Sequence, residues 1–147
     1  ATGRSSVFGA FLDSTLDRLA DGAIFASLAA WAALSMKTDS AFLHVATVCL
    51  ALACVVLAAV VPYARARAES IGATASVGIA ERTDRLVVAL VATFVVGLGA
   101  PQWVLSAALG YVALASFITV VQRIATVSRQ MAGRAIAADG VEQETSV

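Results

Sequence analysis

The sequence predicts an all-α fold, a polytopic transmembrane helix bundle with four spans. Three observations carry this expectation. Apolar residues make up 60% of the 147-residue chain and charged residues 14%, against about 45–50% and 25% in soluble domains. Two long runs carry no charged side chain: Ala41 to Tyr63 and Leu86 to Val121. The basic residues, finally, divide unequally between the two ends that four spans create.

The spans follow in order. Ala23 to Met36 is uncharged but too short to cross alone, since a span needs roughly 20 residues. The first helix therefore extends back to about Gly9, through Asp21, Asp17 and Asp13. Carboxylates at a membrane boundary are costly and mark function by default. Ala41 to Tyr63 is the second span. The run Leu86 to Val121 is too long for one crossing. Gly97-Leu98-Gly99-Ala100-Pro101 breaks it into a short third span and a fourth that ends near Arg123. Ala64 to Arg85 reads as a loop rich in arginine. Residues 1–123 form the transmembrane domain. Residues 124–147 form a tail, a short helical continuation followed by a disordered end.

Four spans put Arg4, Arg18, Arg65, Arg67, Arg82, Arg85, Arg123, Arg129 and Arg134 on one side and Lys37 on the other. Basic residues stay on the cytoplasmic side, so the acids and the arginines share the cytoplasmic face of the inner membrane. Net charge is zero, which gives no footprint for nucleic acid. Cys49 and Cys54 have neither zinc-ligand company nor CxxC spacing and read as small apolar side chains. His44 lies far from the acids. No phosphate-binding loop, serine triad or dinucleotide-binding glycine pattern occurs.

The chemistry-bearing segment is Gly9 to Asp17. Asp13 and Asp17 are i and i+4, so both carboxylates share one helix face with Gly9 a turn earlier. Two like charges there repel unless a hard cation such as Mg2+ (or Mn2+), which prefers oxygen ligands, sits between them. The same pair also suits an interfacial acidic turn with Arg18 as partner. The arginines admit two readings as well. They orient spans against anionic headgroups, or several converge on a phosphate.

GxxxDxxxD, written here as GAFLDSTLD from Gly9 to Asp17, is the second half of the signature DxxDGxxAR…GxxxDxxxD. The segment resembles the CDP-alcohol phosphotransferases. Ala1–Gly22, Tyr63–Ser70 and Val77–Leu86 together look most like the actinobacterial phosphatidylinositol phosphate synthases. The first half of the signature is not in the chain, which implies the C-terminal portion of a longer, six-span protein. The resemblance further implies that Asp13 and Asp17 bind the metal and that Asp17 is the general base. It puts Gly9 against the nucleotide, and Arg65, Arg67, Arg82 and Arg123 on the acceptor's phosphate. Arg129 and Arg134, farther along, are expected outside the site. Pro62-Tyr63-Ala64-Arg65 keeps the charge of the family's serine-tyrosine-x-lysine run and lacks its serine hydroxyl. The expected reaction moves a phosphatidyl group from CDP-diacylglycerol to inositol phosphate, releasing CMP, in a homodimer embedded in the lipid bilayer. Alternatives are another acceptor, such as glycerol phosphate, or a non-catalytic four-helix membrane module.

Overall fold

The computed structural model describes residues 7–75, 77 and 82–145, with side chains described over 8–75, 77 and 83–134. Arg4 and Glu81 lie outside the described residues, and Arg82 is described in its backbone alone.

Four helices follow one another: α1 (Val7–Ser35), α2 (Ala41–Ser70), α3 (Arg82–Gly97) and α4 (Trp103–Thr145). No strand occurs among the described residues. α1 packs on α2, α2 on α4, and α3 on α4. The shared core takes Phe25, Leu28 and Ala29 from α1, and Ala51, Cys54 and Ala58 from α2. Ala89 and Ala92 come from α3, and Leu105, Leu109, Val112 and Ala113 from α4. The alanines let helix backbones approach closely, the packing mode of membrane bundles. Large apolar side chains such as Phe42, Leu52, Phe94, Leu114 and Phe117 face outward instead. Water would disfavour such a surface, and lipid suits it.

α2 and α4 are long and apolar enough to cross a membrane by length and composition. α3, with 16 residues, spans about 24 Å at 1.5 Å per residue, less than the roughly 30 Å of hydrocarbon. α1 is long, but Asp13, Asp17, Arg18 and Asp21 occupy its N-terminal half.

The seams are satisfied locally. Buried Thr47 and Ser106 hydrogen-bond across α2 and α4 at 2.6 Å, and the Thr47 hydroxyl also lies 2.7 Å from the Leu43 carbonyl. Cys54 faces this seam and Cys49 is exposed, in keeping with two small apolar side chains. Ser40 caps α2 by accepting from the Leu43 N–H. The turn expected at 97–101 is present. Gly99 has φ +105°, its N–H bonds the Val96 carbonyl, and Ala100 N–H bonds the Val95 carbonyl. That pair of bonds is a Schellman ending, which needs a left-handed residue at Gly99.

Two expectations need correction. The segment 64–85 is not a loop throughout, because α2 continues past Pro62 to Ser70 and α3 begins at Arg82. Alanine, arginine and glutamate are good helix formers, and the i,i+4 pair Arg65–Glu69 adds to them. The proline removes one helical N–H but leaves both flanking turns helical. The end of the chain differs too. α4 runs unbroken through Gly133 and Gly140 to Thr145, and residues 127–134 pack against the α2–α3 connection rather than trailing free. Val127 and Met131 cover the buried alanines 68, 73 and 75.

Candidate active site

Gly9, Asp13, Asp17 and Asp21 repeat every fourth residue along α1, so they form one stripe on that helix. Depth changes along it. Asp13 is exposed, Asp17 half-buried, and Asp21 retains 3% exposure. The stripe thus leads from the open end of the bundle into its packed part. Cβ atoms one turn apart lie about 5–6 Å from each other, near enough for both carboxylates to share one cation. The nearby hydroxyls are already engaged, since Ser14 and Thr15 both donate to the Phe11 carbonyl. Arg18 approaches Asp17 at 3.9 Å, and both side chains are about a third exposed. At that distance and exposure the pair contributes little and does not neutralise the stripe.

Two carboxylates supply the right donor chemistry for a hard divalent cation, but only part of a ligand set. Among the described residues no group of three His, Cys, Asp or Glu is disposed to hold a metal.

The basic residues meet at the same level on α2 and α4. Arg65 Nε donates to Glu69 Oε1 at 2.9 Å, and Arg67 Nη1 donates to Ser70 Oγ at 3.3 Å. Both are exposed at the end of α2. Arg123 crosses from α4 to donate to the Val77 carbonyl at 3.0 Å and to the Val61 carbonyl. It lies within electrostatic range of Arg65, Arg85 and Glu69. Those two bonds use only part of a guanidinium that carries five N–H donors. Arg67 and Arg123 also line one cleft of about 480 Å³ between α2 and α4, with Tyr63, Val60, Ile124 and Ser128. Of the four arginines expected on a phosphate, two thus share a cleft and Arg65 stands beside them. The Arg82 side chain lies outside the described residues. Arg85, not among the expected site residues, is 93% buried.

Sequence reasoning missed the residues that hold the α2–α3 connection. Gln130 and Arg134 bond its backbone from about 60 positions away in the chain, and no local pattern signals such a contact.

The chain is similar to known proteins in both sequence and structure. The chain is 46% identical over 136 residues to a phosphatidylinositol phosphate synthase of Streptomyces avermitilis, covering 88% of the chain and 53% of that protein. It is 47% identical over 134 residues to the synthase of Cutibacterium acnes, covering 86% and 62% respectively. The chain belongs to the CDP-alcohol phosphotransferase family. Among solved structures, the Mycobacterium tuberculosis phosphatidylinositol phosphate synthase PgsA1 with CDP-DAG bound superposes with a TM-score of 0.73 at 38% identity, covering 85% of this chain and 61% of that one. The same phosphotransferase in complex with manganese and citrate also gives 0.73. No family model matches. The chain spans little more than half the length of the phosphotransferases it matches.

Proposed function

We propose that the chain forms part of a phosphatidylinositol phosphate synthase, which transfers a phosphatidyl group from CDP-diacylglycerol to inositol phosphate and releases CMP. The observation that carries this reading is the 46% identity to a curated synthase across 88% of the chain. The acid stripe and the basic cleft support it. A hydroxyl of inositol phosphate attacks the lipid-bearing phosphorus, a new P–O bond forms, and the P–O bond to CMP breaks. Asp17, half-buried behind Asp13, accepts the hydroxyl proton as general base. Asp13 and Asp17 would supply part of the ligand set of a divalent cation, Mg2+ or Mn2+. Bound there, such an ion neutralises charge on the diphosphate and favours departure of CMP. Gly9, without a side chain, leaves room for the nucleotide beside the stripe.

The acceptor's phosphate is assigned to Arg67 and Arg123 on their shared cleft, with Arg65 and Arg82 alongside. Guanidinium groups bind phosphate through charge-assisted, paired hydrogen bonds. This crowding favours a phosphorylated acceptor, inositol phosphate or glycerol phosphate, over a free alcohol. The non-catalytic module leaves the acid stripe without a purpose. We place all four helices in the inner membrane, with the stripe and cleft on the cytoplasmic side. The basis is the nine-to-one distribution of basic residues, and the protein is taken to act as a homodimer. Rates of CMP release with inositol phosphate, with glycerol phosphate and with neither test the assignment. Inositol phosphate should give the fastest release. Equal or faster release with glycerol phosphate would reassign the acceptor.

A further inference from the structure

α4 continues well past Arg123, to Thr145. Its continuation grips the backbone of the α2–α3 connection. Gln130 clasps Thr74 with both ends of its amide: Oε1 accepts from the Thr74 N–H at 2.9 Å, and Nε2 donates to the Thr74 carbonyl at 2.9 Å and to Oγ1 at 3.1 Å. A primary amide offers a donor and an acceptor side by side, so it satisfies both main-chain groups of one residue as a neighbouring strand would. Four residues on, Arg134 donates to the Ile71 and Gly72 carbonyls. These carbonyls lie just past the end of α2 and have lost helical partners. Gly72, at φ +73°, closes a Schellman ending through Gly72 N–H to Glu69 and Ala73 N–H to Ala68.

The gripped residues follow directly on the end of α2, which carries Arg65 and Arg67, and Gln130 and Arg134 lie on α4 beyond Arg123. The grip therefore ties the end of α2 to the helix that bears Arg123, and Arg67 and Arg123 line one cleft. We propose that Gln130 and Arg134 are positioning residues for the acceptor site, holding the backbone of residues 71–75 so that Arg67 on α2 and Arg123 on α4 keep a fixed spacing. This rests on the reading that those arginines bind the acceptor's phosphate. Neither residue touches substrate in this account. Both act mainly through main-chain bonds, to which Gln130 adds a bond to Thr74 Oγ1.

The test uses the full-length protein in lipid nanodiscs with Gln130→Ala, Arg134→Ala, Arg134→Lys, and Arg129→Ala as an exposed control. CMP release is measured against each substrate in turn, and hydrogen exchange is followed in the peptide covering 71–75. Gln130→Ala and Arg134→Ala should speed that exchange. Each should raise KM for inositol phosphate roughly 5- to 10-fold, the worth of about one hydrogen bond. KM for CDP-diacylglycerol and kcat should stay within about 2-fold, since only acceptor binding is affected. Arg134→Lys, with one ammonium for two carbonyls, should recover part of the loss, and Arg129→Ala should match wild type. Unchanged exchange, or faster exchange with an unchanged acceptor KM, overturns the proposal. So does an equal loss for both substrates, which would mean general unfolding. A wild-type protein that releases no CMP with inositol phosphate defeats the functional reading itself, and this proposal with it.

Discussion

Arg123 joins three parts of the molecule, and its removal separates structural from binding roles. It links α4 to the Val61 carbonyl of α2 and to the Val77 carbonyl of the connection, 62 and 46 residues away in sequence. A hydrogen bond with a charged partner contributes about 1.5–3 kcal/mol when buried, and less when exposed. The Val77 bond is exposed and the Val61 bond partly buried. Arg123→Ala should therefore cost about 2–4 kcal/mol of stability, most of it from the inner bond. If the remaining N–H groups also bind the acceptor's phosphate, a further 1.5–3 kcal/mol is lost from acceptor binding. That corresponds to a KM for inositol phosphate raised roughly 10- to 150-fold. Thermal unfolding in nanodiscs reads the first quantity, and steady-state CMP release against each substrate reads the second. Arg123→Lys keeps the charge but not the planar fork, so it should recover part of the acceptor affinity and less of the stability. An Arg123→Ala protein that melts early yet binds inositol phosphate normally would confine Arg123 to a structural tether and refute its place in the acceptor site.

The acid stripe gives the next expectation. Asp13→Asn and Asp17→Asn should each abolish transfer without lowering the melting temperature, because an amide neither balances a cation nor takes a proton. Near-normal turnover in either variant would reject the assigned role. Sidedness is checked in a background lacking Cys49 and Cys54. A cysteine at Ser70 should react with an impermeant reagent only from the cytoplasmic side, and one at Thr38 only from outside. The opposite labelling would invert the topology. Gly99→Ala meets no neighbour within 4 Å, so its cost is backbone strain alone at φ +105°. It should destabilise by about 1–3 kcal/mol with KM values unchanged. An unchanged melting temperature would mean the α3–α4 turn tolerates a side chain there.

Much of the architecture was legible because it rests on local rules. Uncharged runs located α2 and the apolar part of α4, and glycine with proline located the turn at 97–101. The four-residue spacing of Gly9, Asp13 and Asp17 defined a helical stripe without any structure. The basic segment after Tyr63 was misread, because arginine reads as loop by its polarity. Helix propensity and an i,i+4 ion pair carry α2 on to Ser70 instead. The tail was misread for a different reason. Glycines at 133 and 140 suggested an end to order, yet contacts of Val127, Gln130, Met131 and Arg134 with residues 68–75 decide the matter. Contacts between segments so distant in the chain leave no periodic trace. For the same reason the bonds from Arg134 to the Ile71 and Gly72 carbonyls have no counterpart in the sequence pattern.

The central claim is tested most directly by the lipid product. The full-length protein in nanodiscs is given CDP-diacylglycerol and inositol phosphate, with a divalent metal, with a chelator, and with metal restored after chelation. Mass spectrometry then identifies the lipid formed. The account predicts phosphatidylinositol phosphate in equal amount to the CMP released, lost on chelation and recovered with Mg2+ or Mn2+. Product formation that persists under chelation, or a lipid that carries no inositol phosphate, would contradict it.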